Sequence, residues 1–157
     1  MLAVSLGYPL GVENGHYMVQ RKNKIHNLSF KAAAVWMQFV GIKVVEDLKD
    51  EKDIFDELIT KGLVVKADTV NFLLDGINKT NPIRQGAGSL TNKMITIILG
   101  DKIISPSALQ WQIWLRCDGV KTLYEIYSAV RNKISFSPIE FINALNVLYE
   151  NDLLFLL

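Results

Sequence analysis

Cys117, His16 and His26 are the residues best suited to chemistry in this chain, and their settings limit what they can do. A cysteine nucleophile needs a base within reach and a third group to orient that base. Arg116 and Asp118 flank Cys117 with cancelling charge, so nothing nearby favours a thiolate, and a half-buried helical thiol is expected. No nucleophile elbow, base spacing or oxyanion loop accompanies it. The two histidines fall on adjacent predicted strands. A metal site needs about three or four ligands, and neither a second cysteine nor a carboxylate accompanies them in the pattern. Gln85-Gly86-Ala87-Gly88-Ser89 is glycine-rich but lacks the lysine and helix start of a phosphate loop, so it reads as flexible linker. No catalytic residue, metal or cofactor is expected, and the chain reads as a non-enzyme.

Composition narrows the class further. With 157 residues, half of them hydrophobic, the chain can bury one good core or two small ones. A formal net charge of +1 gives no overall pull towards nucleic acid or acidic lipid. Cys117 is the one cysteine, so no internal disulfide can form, and a reducing, cytoplasmic setting fits. The opening MLAVSLGYPLG has neither the basic leader of a signal peptide nor the length of a membrane span, and the closing LLFLL is too short to cross a bilayer. It reads as a buried strand or a helix end, and no membrane partner is expected.

The elements that would position any functional residue are clearest from Ser105 to Leu157. Ser105-Pro106 reads as a cap followed by a proline at the first helical position. Thr122 to Glu125 is a capping box, and Ser137-Pro138-Ile139-Glu140 combines both signals, with Phe136 and Phe141 spaced as a hydrophobic staple. Three consecutive helices follow from this. An internal repeat then extends the pattern. Aligning Trp36 with Trp114 brings Ile25 to Ile103, Ser29 to Ser107, Gly41 to Gly119 and Val45 to Leu123. After about a dozen further residues in the second copy, Leu58 meets Leu148 and Leu63 meets Leu153. Each copy opens on a strand pair, His16–Arg21 with 25–28 and Met94–Leu99 with 102–104, joined by a polar turn. In copy one, helices are expected from Ser29 to about Gly41, around Val44 to Leu48, and from Asp53 to about Lys61. Trp36 and Trp114 should lie in equivalent cores, and Trp111 in the seam between copies or exposed as a partner anchor.

The expected fold is therefore α+β, two tandem winged-helix-like units, each a β-hairpin followed by three helices. Residues 1–66 form the first repeat, 67–93 a linker with one short ordered element, and 94–157 the second repeat. Ile104-Ser105-Pro106, Ile113-Trp114, Asp118-Gly119, Thr122-Leu123-Tyr124-Glu125-Ile126 and Ala144-Leu145 with Leu148 resemble the PqqD-like peptide-recognition domain, also called the RiPP recognition element. Leu28-Ser29, Val35-Trp36, Gly41 and 55–63 carry the same likeness in copy one, which departs from it at Val40 and Val44. The resemblance implies a non-catalytic adaptor that binds a peptide or protein segment as an added strand on the hairpin and against the third helix. Carried onto this chain, it puts peptide contacts at Met94, Thr96, Ile98, Phe141, Leu145 and Leu148. A homodimer of the chain is a further open alternative.

The rival class is a winged-helix DNA-binding regulator, for which Arg21, Lys22 and Lys24 would form a basic wing. Charge argues against it. From Lys43 to Lys61 seven acidic side chains face four basic ones, and from Lys121 onward four face three. A phosphate reader needs the opposite balance.

Overall fold

A computed structural model describes residues 1–91 and 94–157. Contacts divide the chain into Met1–Asn78 with Leu156–Leu157, and Lys79–Phe155.

The first unit opens on β1 (Leu2–Ser5) and continues through β2 (Tyr8–Glu13), β3 (His16–Arg21), β4 (Lys24–Leu28), α1 (Phe30–Gln38), β5 (Ile42–Val44), α2 (Lys52–Thr60), β6 (Val64–Ala67) and α3 (Val70–Ile77). β1 lies between β5 and β6, antiparallel to both, so Ala3, Val4 and Ser5 are buried. β2, β3 and β4 form a separate meander in that order. Pairing shifts register between Pro9 and Gly11, a bulge that lets a proline sit in an outer strand. The Ser29 hydroxyl accepts from the Ala32 N–H at 3.2 Å and starts α1. The helix buries Ala32, Ala33, Val35 and Trp36 against Val19, Leu28, Phe55 and Leu58. A tryptophan that deep must find a hydrogen-bond partner, and Trp36 Nε1 donates to the Leu6 carbonyl at 3.1 Å.

The second unit runs β7 (Pro82–Arg84), β8 (Ala87–Thr91), β9 (Met94–Leu99), β10 (Lys102–Ile104), α4 (Ala108–Trp114), α5 (Leu123–Arg131), α6 (Pro138–Glu150) and β11 (Leu154–Leu156). β8, β9 and β10 form a meander with β9 central, while β7 pairs with β11. All three helices begin with capping boxes, from Ser107, Thr122 and Ser137. Phe136 stacks on Phe141 at 5.5 Å across the start of α6, the staple that the spacing anticipates.

The same hydrogen bonds recur in both units. Ser5 N–H donates to Phe39 O and Arg84 N–H to Cys117 O; Leu6 N–H donates to Leu63 O and Gln85 N–H to Leu153 O. Val45 N–H reaches Met1 O, and Leu123 N–H reaches Thr80 O. The indoles match as well, since Trp114 Nε1 donates to Gln85 O at 3.0 Å. Trp36 and Trp114 thus hold equivalent positions, each indole bonding the carbonyl that follows β1 or β7, while their ring neighbours differ, Tyr17 in the one case and Trp111 in the other. The bulge in β2 explains why pairs before it are spaced one residue further apart than pairs after it.

The element order nevertheless overturns two winged-helix units of hairpin plus three helices. Each strand group is a three-stranded meander preceded by a further strand, β1 or β7, and the last helix of the pattern is followed by β6 or β11. Within residues 1–66, the expected first repeat, two helices (α1 and α2) stand where three were expected. Residues 45–51 form no helix: position 44, where the second unit has the capping Thr122, is a valine, which has no hydroxyl to accept the first N–H groups. Ser105 is not the cap of α4 either; Ser107 accepts from Gln110 N–H at 3.2 Å. Within 67–93, the run Val70–Leu74 lies on α3, and Ala87-Gly88-Ser89 of the glycine-rich stretch belong to β8 rather than to a flexible linker. Asn92 and Lys93, at the end of that expected join, lie outside the described residues.

Candidate functional site

β9 pairs on both sides, with Ala87–Thr91 and with Lys102–Ile104. It therefore cannot accept an added strand along its full length, and the outer strands β8 and β10 carry the open edges instead. Directly opposite residues share a face of an antiparallel sheet. Ile97 is buried, so its neighbours Thr96 and Ile98, and Met94 beyond, point to the other side. Their partners Thr91, Ser89, Ala87 and Ile103 complete a face that, among the described residues, carries no charge. Met94 is 67%, Ile98 43% and Ile103 71% exposed. Met94, Thr96 and Ile98 are thus together on an accessible surface. Phe141, Leu145 and Leu148 are not with them: all three are buried in the core of the unit, where α6 packs on α4, and a peptide could not touch them without opening it.

Natural sheets guard their outer edges with proline, bulges, lysine or short strands. β2 carries Pro9 and the bulge, β4 carries Lys24, and β10 has three residues with Lys102 at its start. β8 has none of these. Its sequence, Ala87-Gly88-Ser89-Leu90-Thr91, is exposed at every position, and it pairs along one side with β9. Gly88 holds the strand down from the other direction. Trp111 and Trp114 stack at 5.4 Å over it, so close that a Cβ there would meet ring carbons at 2.6 Å. Trp111 thereby finds its packing inside the second unit.

Arg21, Lys22 and Lys24 stand at the β3–β4 turn, where Lys22 takes a φ of 52°. Arg21 and Lys24 are directly paired, on the same sheet face as buried Val19 and its partner His26. Burial, then Lys24, Lys61 and Arg21, hold the His26 imidazole below its ordinary pKa. The sequence tied Arg21 and Lys24 to a wing but gave no hint of Lys61, which arrives from the end of α2.

The residues suited to chemistry are scattered. His16 lies on the opposite face of β3 from His26, its Nδ1 3.1 Å from the Asn14 carbonyl oxygen. Cys117 is wholly buried rather than half-buried; its Sγ lies 3.3 Å from Ile113 O, and burial pushes its pKa up to about 12. The Lys121 ammonium, helped by backbone N–H groups of Lys121 and Val120, holds the Asp118 carboxyl far below the usual range, which closes the turn before α5. A shallow hollow of about 300 Å³ beside Met1 and Phe55 contains Lys52, Asp56 and Lys66. Lys52 meets Asp56 at 2.5 Å there, so its charges answer one another. Among the described residues, no three His, Cys, Asp or Glu side chains are grouped to hold a metal, and no helix is long and apolar enough to cross a membrane. No protein family, curated protein or solved structure matches this chain.

Proposed function

We propose that this protein is a non-catalytic adaptor that binds an extended peptide or protein segment as an added strand along β8. One observation carries this reading: β8 is an unguarded edge bordering an uncharged face. An open edge of this kind invites pairing with any extended chain, and a protein that leaves it bare risks aggregation unless a partner uses it. Backbone N–H and C=O groups supply affinity, while Met94, Thr96 and Ile98 beside the edge give the incoming side chains an apolar neighbour. This is the mode of binding that the PqqD-like resemblance implies, moved to a different strand. The role requires no cofactor and suits a reducing cytoplasm in which Cys117 remains a thiol.

Selection from a displayed library of short random peptides tests it. Binders should be apolar and extended, and Leu90→Lys, which places a guarding charge on the edge, should weaken them by about tenfold or more. Recovery of no binders, or of binders indifferent to that substitution, would remove the support.

A further inference from the structure

The two units differ in charge at one equivalent place. Gly62 follows α2 and Asp152 follows α6, with φ values of 70° and 60°. Each donates its N–H to the residue three before it, Ile59 O at 2.8 Å and Tyr149 O at 3.0 Å, and each precedes a leucine bonded back to its helix. Lys24 and Lys102 likewise hold the same position after the second meander turn. In the second unit Lys102 reaches the Asp152 carboxylate at 3.2 Å, and the flanking equivalents Leu99, Ile104 and Asn151 are uncharged. In the first unit glycine replaces the aspartate. Arg21, His26 and Lys61 replace the uncharged residues, so the same corner gathers three permanent cations and an imidazole. Lys61 has Glu57 at 2.5 Å. A Cβ on Gly62 would come within 3.7 Å of Arg21 Nε, which places position 62 against the group.

From this contrast we infer that the corner formed by Arg21, Lys24 and Lys61 binds a carboxylate-bearing extended peptide segment running beside the β4 edge. The occupant's carboxylate takes the place that Asp152 fills in the second unit. β4 pairs along one side with Tyr17–Arg21, and Lys24, Ile25 and Asn27 are exposed, so an acidic strand has both an edge and counter-charges. Nucleic acid fits less well. A duplex needs basic surface over several phosphates, whereas α2, the helix that leads into Lys61, carries Asp53, Asp56 and Glu57, with Glu57 paired to Lys61. This site is separate from β8 and does not depend on the proposal made for it.

Fluorescence anisotropy of a labelled peptide of alternating glutamate and valine tests the inference on the full chain. Binding should weaken with added salt. Gly62→Asp supplies the missing carboxylate at a backbone position where Asp152 shows that aspartate is accommodated, and it should reduce binding by about tenfold or more. Gly62→Asn, which tolerates the same backbone without charge, should retain it. Failure of the wild-type protein to bind the peptide, equal binding by Gly62→Asp, or tighter binding of a labelled DNA duplex at the same corner would each overturn the inference. Circular dichroism of both Gly62 variants separates lost binding from lost fold.

Discussion

Trp111 lies almost flat on Trp114, ring planes inclined by 14°, and both rings press on the backbone of Gly88. The contact joins α4 to β8, so the edge assigned to peptide binding is only as well placed as this stack permits. A methyl group at position 88 must push at least one indole aside. Gly88→Ala should therefore destabilise the protein by about 1–3 kcal/mol, the usual cost of overpacking. It should also alter the near-ultraviolet tryptophan signal. Thermal unfolding followed by circular dichroism checks the first effect, and the near-ultraviolet spectrum of the folded protein checks the second.

Replacing an indole by phenyl asks what the repeated tryptophan bonds contribute. Trp36→Phe leaves the Leu6 carbonyl without its donor in a wholly buried site, and should cost about 1–3 kcal/mol from that loss alone. Trp114→Phe removes the bond to Gln85 in a partly buried site and should cost less. Denaturant unfolding of both variants should preserve that order.

Ser105 and Ser107 offer a cleaner comparison. Ser107→Ala removes the side chain that caps α4 and should cost about 1 kcal/mol. Ser105→Ala removes no capping bond from α4 and should stay within about 0.5 kcal/mol of the parent. Equal losses would mean that the helix starts earlier than described.

Cys117 should resist thiol reagents while the protein is folded and react once it is denatured. Its raised pKa also has a consequence for stability. Near pH 9 the unfolded chain's thiol begins to ionise while the folded one stays protonated. The unfolded state then binds fewer protons, so stability falls as pH rises from about 9 towards 12. Cys117→Ala should flatten that slope, measured as chemical-denaturation midpoints across the range.

Features with local causes could be read from the chain before any coordinates. The boxes at Thr122 and Ser137, the staple of Phe136 on Phe141 and the equivalence of the two tryptophans each depend on a few neighbouring residues. β1 and β7 were hidden because they have four and three residues and each carries or adjoins a proline-bearing stretch, with pairing partners far along the chain. β8 was hidden for a different reason. Its glycines look like linker, although Gly88 is there because two indoles leave no room for a side chain. Met94, Thr96 and Ile98 share one face of β9, as the two-residue alternation of a strand requires. Apolar type alone could not show that Phe141, Leu145 and Leu148 face inward, since the core and a peptide groove want the same residues. The convergence of Lys61 on Arg21 and Lys24 depends on tertiary contact and had no sequence signal.

Hydrogen exchange resolved to single residues, with and without a peptide taken from the displayed library, tests the adaptor role most directly. Strand addition predicts that amides within Ala87–Thr91 slow on binding, while those of the buried helix α6 change little. Protection that leaves β8 untouched and appears elsewhere would contradict binding at this edge.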